Sequence, residues 1–211
     1  MNNEYYTFAE RAEAFYTSKK SRFISTGAEV FTEGEASGFL ENQKSNYKEA
    51  SHYVYAYRLS DKERASDDHE PSGTAGGPVL KILKSEGMRN TIIVVIRYYG
   101  GIPLGKGGLT HAYSHSAKLL FETGRVIKKT RCRKLFLTTD YVFLGKLQYF
   151  IALSDVIITQ TKYTGQVDLE LIAREESIKA LISDVTNLTN GRIDARLSDC
   201  FFHEYPFSQR A

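Results

Sequence analysis

Two stretches hold most of the residues whose types and spacing could do chemistry: Ser66–Leu80 (SDDHEPSGTAGGPVL) and Arg97–Tyr113 (RYYGGIPLGKGGLTHAY). The first sets Asp67, Asp68 and Glu70 in a tight acidic turn, with Ser72 and Thr74 following among small residues. Carboxylates this close could bind a cation or act as acid and base. They equally suit an Asx turn followed by a helix N-cap, with acids near the positive helix end. In the second stretch, Gly100-x4-Gly105-Lys106 nearly spells a phosphate loop. Glycine N–H groups of Gly105, Gly107 and Gly108 at a helix start, with the Lys106 ammonium, can hold an anion. Gly107 stands where a magnesium-ligating Ser or Thr belongs, so anion binding without nucleotide turnover is the better reading. Tyr98 and Tyr99 beside Arg97 invite base stacking, and a strand's period of two gives one of them to packing. With Gly101 and Thr110, these residues outline a binding cleft in which Asp67–Thr74 faces Arg97–Thr110. No catalytic residue, metal or cofactor is assigned.

Other constellations are weaker. Five His and two Cys show no triad context. His111 and His115, at i and i+4, lack the intervening acid of HExxH, so surface or core packing is their simpler role. Cys132 and Cys200 form no CxxC, which indicates neither a disulfide scaffold nor a zinc site. Six basic residues fall between Arg125 and Lys134 (RVIKKTRCRK). Such a stripe fits an acidic partner or nucleic-acid phosphates, and it also fits a solvated strand edge guarded by lysine. Residues 1–130 carry 18 Lys/Arg against 15 Asp/Glu, whereas residues 131–211 carry ten of each, so the net charge of +3 lies in the first part. The longest apolar run, Ile92–Ile96, fits a buried strand and is far short of a membrane span. The acidic N-terminal MNNEYYTFAERAEAF does not read as a signal peptide, and a cytoplasmic location is expected.

The elements that must position these residues can be read in order. A hairpin is predicted from Glu13–Lys19 and Ser21–Phe31, then a helix over Glu33–Tyr47 with Thr32 and Glu35 as a capping box. Tyr53–Leu59 reads as a strand, with Val54 and Ala56 on one face and Tyr55 and Tyr57 on the other. A long polar loop runs from Ser60 to Gly77. Pro78 suits the first turn of a helix stopped by Gly87. Thr91–Arg97 (TIIVVIR) is the clearest buried strand, and a glycine loop Gly100–Gly108 then opens a helix over Leu109–Phe121. From Lys134 the order becomes β-α-β-β-α-β. It comprises LFLTTD, Phe143–Leu153, a hairpin of Val156–Tyr163 with Gln166–Ile172, a helix over Glu175–Leu188 and a strand over Arg192–Phe202. This is the split ferredoxin-like arrangement, with expected strand order 4-1-3-2, which brings Cys132 near Cys200 as free thiols. The fold class is α+β with two domains, residues 1–132 and 133–211.

Four stretches also carry a resemblance. EPSGTAGGPVL and VVIRYYGGIPLGKGGLTHAYS resemble the two signature stretches of the IMPACT/YigZ family, supported by KKSRFI at Lys19–Ile24 and HYVYAYRL at His52–Leu59. Departures are His69, where the family usually has glycine, Lys106 at a usually non-basic position, and His111 where Lys or Arg is frequent. The resemblance implies an N-terminal IMPACT domain like the second domain of a ribosomal small-subunit protein. It also implies a C-terminal domain like one of elongation factor G. Eukaryotic relatives restrain a kinase that responds to amino-acid starvation, and the two-domain length is similar to the bacterial branch. The expected function is non-catalytic binding of RNA, a ribosomal component or a regulatory protein, in translation or stress regulation. A phosphate-ester or nucleotide-processing enzyme using Asp67, Glu70 and Lys106 in the cleft between 67–74 and 100–108 is the alternative.

Overall fold

The computed structural model describes residues 3–204, which divide into two compact units: Tyr5–Lys128, and the chain beyond it together with residues 3 and 4. The first unit opens with β1 (Glu4–Phe8), β2 (Ala12–Ser18) and β3 (Ser21–Glu29), followed by α1 (Glu33–Asn46) and β4 (His52–Arg58). Next come β5 (Glu63–Ser66), α2 (Gly76–Ser85), β6 (Thr91–Tyr98) and α3 (Gly105–Thr123). Its antiparallel sheet has the order β2-β3-β6-β4-β5. Every residue of β6 from Thr91 to Arg97 is buried, as the uncharged β-branched run requires of a central strand covered on both faces.

Alternation along the strands decides which helix covers which face. Phe23, Val54, Ala56, Ile93 and Val95 pack with Val79 and Leu83 of α2 and with Leu109, Ala112, Tyr113 and Ala117 of α3. Their neighbours Ile24, Tyr57, Ile92, Val94 and Ile96 face Ala36, Phe39 and Leu40 of α1. The expected split of Val54 and Ala56 from Tyr55 and Tyr57 is therefore observed. Ser25 and Ser116 share a buried hydrogen bond of 2.7 Å that ties α3 to the sheet. At the start of α1, Thr32 Oγ1 accepts from Glu35 N at 3.1 Å, while Glu35 Oε2 accepts from Phe31 N, one residue earlier than a capping box requires.

Three local expectations are corrected. The polar loop 60–77 contains β5, whose Glu63–Ser66 pair with Tyr55–Arg58 of β4; four residues of charged and small side chains carry no strand periodicity. α3 begins at Gly105 rather than Leu109, so Gly105–Gly108 form a helical first turn and only Tyr99–Leu104 is loop. β1 was not anticipated; in the first unit it is anchored by Arg89 N donating to Tyr6 O and Ala9 N donating to Arg125 O, both at 2.9 Å.

The second unit follows β7 (Val126–Thr139) with α4 (Tyr141–Ala152), β8 (Val156–Tyr163), β9 (Val167–Arg174), α5 (Ile178–Leu188), β10 (Ile193–Leu197) and β11 (Phe201–Glu204). β7 pairs antiparallel with β9, which pairs with β8, while β10 and β11 both pair with β7. That is the expected 4-1-3-2 order, except that the last strand is broken at 198–200. Leu135, Leu137, Val167, Leu169 and Leu171 pack against Leu147, Ile151, Leu181 and Val185 of the two helices.

Cys132 pairs in register with Phe201, which places Cys200 one residue from its cross-strand partner, and both thiols are free. Burial pushes the Cys132 thiol up to about 11, and Cys200 Sγ donates to Glu175 Oε2 at 2.9 Å. The basic stripe does not lie on a sheet edge. Arg131–Lys134 sit on a strand paired on both sides, where Arg133 meets Glu175 at 2.6 Å and Lys134 meets Glu170 at 2.7 Å.

Candidate functional site

β6 ends by delivering Arg97 to the face covered by α2 and α3. Its Nη1 donates to Glu70 Oε1 at 2.5 Å, and both side chains are nearly inaccessible, at 4% and 3%. The same carboxylate oxygen accepts from Tyr113 Oη of α3 at 2.7 Å. His52 Nδ1 lies 2.8 Å from the Asp68 carbonyl, and since a carbonyl only accepts, this nitrogen carries the proton. Its Nε2 then faces Glu70 Oε1 at 3.6 Å. On the other side, Arg97 Nη2 and Gly100 N both donate to Ser21 Oγ at 3.2 Å. The guanidinium lies over the rings of Phe23 and Tyr99, 5.4 and 5.2 Å from their centres. Burial, and after it the negative charge of Glu70, raises the Tyr113 pKa, so its hydroxyl stays a donor.

Ser21, His52 and Glu70 come one each from three of the four family-like stretches, and Arg97 and Tyr113 both come from the fourth. A buried ion pair is stable only when its remaining donors and acceptors are matched, and this cluster supplies Tyr113 to Glu70 and Ser21 to Arg97 for that purpose. One atom stays unmatched: Arg97 Nε is buried without a hydrogen-bond partner among the described residues. Of the expected site residues, the cluster joins Glu70, Arg97, Tyr99 and Gly100. Ser21, His52 and Tyr113 were not expected, because nothing in their local sequence marks them as partners of residues 18–76 positions away.

The acidic turn is a cap. Asp67 Oδ1 accepts from Ala75 N at 3.0 Å and Gly76 N at 2.8 Å, and Oδ2 accepts from Gly73 N at 2.8 Å. Burial alone would raise its pKa, but the amides of Gly73, Gly76 and Ala75 together hold it below the ordinary value of 3.8. Gly76 lies so close to Ser66 that a Cβ would come within 2.6 Å of the Ser66 carbonyl oxygen, which explains the small residues at the start of α2. Thr74 is buried, with Oγ1 donating to Pro71 O at 2.6 Å, and Ser72 is exposed.

Since the folded pKa of Asp67 lies below the unfolded one, its stabilisation is present above the unfolded value. It is lost as pH falls through the folded value. Asp67→Asn is expected to cost about 1–2 kcal/mol at pH 7. The variant's stability should also fall less than the parent's as the pH drops below about 4. Urea titrations across that range measure both, and equal pH slopes would remove Asp67 from this role.

His69 adopts φ +68° and the preceding Asp68 φ +43°, so the turn keeps the left-handed geometry without glycine at 69. A left-handed conformation costs an L-residue roughly 1–2 kcal/mol, and glycine's extra freedom when unfolded returns up to about 1. His69→Gly should therefore stabilise the protein by about 0.5 kcal/mol, readable as a small rise in melting temperature.

The second stretch splits between inside and outside. Tyr98 is partly buried, with its hydroxyl donating to Lys48 O at 3.0 Å, whereas Tyr99 is 48% exposed. This is the expected division of the pair. Gly101 and Gly105 take φ +79° and +71°, and α3 starts without a side-chain cap. Lys106, Gly107 and Thr110 are exposed. His115 packs edge-on to Tyr16 at 4.7 Å and stacks with His111 at 5.9 Å. Among the described residues, no group of three or more His, Cys, Asp or Glu is placed to hold a metal ion. None of the described helices is long and apolar enough to cross a membrane.

Residues 19–121 match the Impact N-terminal domain, and residues 137–192 match a domain of unknown function, DUF1949. The IMPACT family member YvyE of Bacillus subtilis is 34% identical over 207 residues, spanning 97% of this chain and 95% of that one. The chain belongs to the IMPACT family. YigZ of Escherichia coli, a member of the same family, is 29% identical over 83% of this chain and 88% of its own. Protein IMPACT of Oryctolagus cuniculus matches at 33% over half of this chain and 35% of its own length, so the eukaryotic likeness is confined to part of each protein. The crystal structure of a hypothetical protein superposes with TM-score 0.62 at 26% identity, covering 94% of this chain and 99% of that one. The two-domain α+β architecture is thus shared along the IMPACT chain.

Proposed function

We propose that this IMPACT protein is a non-catalytic binder of RNA, free or as part of a ribosomal component, acting in translation or stress regulation in the cytoplasm. The observation that carries the reading is how the family-like stretches divide their side chains. Asp67 and Glu70, which acid–base or metal chemistry would need, are already engaged by backbone amides, Arg97 and Tyr113. The charged and aromatic side chains that those stretches leave outward include Lys19, Lys20, Arg22, Tyr99, Lys106 and His111, beside exposed glycine backbone. Cations and an exposed aromatic suit a polyphosphate strand with stackable bases. An uncapped helix start beside Lys106 suits one of its phosphates. The implied likeness of the two domains to a ribosomal protein and to elongation factor G supports the same reading, by analogy of fold.

Co-sedimentation with ribosomal subunits and with bulk RNA tests it. Association should be evident at low salt and fall steeply as salt rises, because phosphate contacts release counterions. Absence of association at low salt would overturn the proposal. So would turnover of a phosphate ester by the parent protein that Glu70→Gln abolishes, which would establish the enzyme instead.

A further inference from the structure

Lys19 and Lys20 occupy the two-residue turn between β2 and β3 at φ +43° and +66°. Hairpin turns with two left-handed positions ordinarily carry Asn-Gly or Gly-Gly there, because a side chain with a Cβ is strained in that region. Lysine therefore has no local reason to stand at either position. Both side chains are exposed, and neither forms an ion pair among the described residues. The turn is also held against the loop after β6. Gly100 packs so tightly on the Lys20 carbonyl that no Cβ fits, and Ser21 Oγ takes hydrogens from Gly100 N and Arg97 Nη2. Tyr99, next in line, is covered on one side by the Arg97 guanidinium and is 48% exposed. The charge of that guanidinium is met internally by Glu70, so the outward positive charge of this corner comes from the two turn lysines and from Arg22, whose guanidinium lies over the Tyr98 ring.

We propose that the Lys19–Lys20 turn and Tyr99 form a contact site for single-stranded RNA, with the two ammonium groups on backbone phosphates and the Tyr99 ring stacked on a base. The proposal rests on the RNA reading above and gives it a location. An acidic peptide would use the lysines, but it has no planar group for the ring. Single-stranded nucleic acid uses both. RNA duplex is a poorer fit, since its bases are already stacked and its recognition runs through shape and phosphates.

The test uses the full chain and a fluorescent oligouridine, with anisotropy followed across a salt series. Glycine suits both turn positions, so Lys19→Gly/Lys20→Gly removes the charges without threatening the fold, and its melting temperature should be no lower than the parent's. The double variant should flatten the log–log salt dependence by about 1.4, at roughly 0.7 for each phosphate contact on a single strand. Tyr99→Ala should weaken binding about tenfold, and Tyr99→Phe should retain it. If the parent binds oligouridine and these variants bind equally well, the site is wrong while the RNA reading stands. If the parent binds no RNA at low salt, the functional reading fails and the site with it. A polyglutamate peptide that competes as well as oligouridine, with no dependence on Tyr99, would overturn the RNA assignment in favour of an acidic protein partner.

Discussion

Truncating Glu70 to Ala is expected to destabilise the protein by about 3–5 kcal/mol, measured by urea unfolding at neutral pH. The size follows from what the substitution leaves behind rather than from the strength of the contact. Arg97 is 4% exposed and lies between the Phe23 and Tyr99 rings, so it cannot swing out to water without disturbing β6 or the loop after it. A guanidinium does not lose its proton under ordinary conditions, and a buried, unpaired charge is among the costliest defects a fold can carry. Tyr113 Oη would lose its acceptor at the same time. Replacing both charges, as in Glu70→Met/Arg97→Met, should cost much less than the sum of the single changes, because the apolar pair leaves no charge stranded. Tyr113→Phe, which removes one donor and leaves the ion pair intact, should cost about 1–2 kcal/mol. A Glu70→Ala cost under about 1 kcal/mol would show that water reaches Arg97, and that the cluster is a surface pair rather than a buried one.

How far the sequence foretold this cluster depends on the range of the interaction. Local signals were readable: TIIVVIR as a central strand, Pro78 and Gly87 at the ends of α2, Asp67 as an acid before a helix, and the β-α-β-β-α-β order with its strand arrangement. Each rests on periodicity or on a backbone need within a few residues. The partners of Glu70 were not readable, because Arg97 and Tyr113 stand 27 and 43 positions on, and only the sheet and α3 bring them to one carboxylate. Both interacting stretches stand out in the sequence, yet an acid in a tight turn suits a catalyst as well as the counter-ion that the fold makes of Glu70. Gly105–Gly108 misled in a different way. Glycine is a poor helix former, so four residues with three glycines read as loop, whereas tertiary packing of Leu109 and Tyr113 carries the helix back to Gly105. The basic stripe was ambiguous because sequence gives charge but not pairing, and Glu170 and Glu175 come from β9 and the turn beyond it.

The glycines between β6 and α3 give an ordered set of outcomes for alanine substitution, with Gly100→Ala the most severe. The cause there is space and not dihedral angle: a Cβ at 100 would be driven into the Lys20 carbonyl and within 2.5 Å of Ser21 N. Backbone on both sides leaves no flexible side chain to yield, so the β2–β3 turn must move. That movement separates Gly100 N from Ser21 Oγ and loosens the Arg97 Nη2 bond to the same oxygen. Overpacking of this kind costs typically 1–3 kcal/mol, and the lost hydrogen bonds bring the expected total to about 3 or more. Gly101→Ala meets open space but a φ of +79°, so it should cost about 1–2 kcal/mol. Gly107→Ala lies in the first turn of α3 with nothing near its Cβ, and there alanine's better helix propensity should stabilise the protein by about 0.5 kcal/mol. Thermal melts of the three variants give the ranking directly. If Gly100→Ala melts no lower than Gly101→Ala, the Lys20 turn does not rest on Gly100, and the coupling between the lysine pair, Ser21 and Arg97 is lost with it.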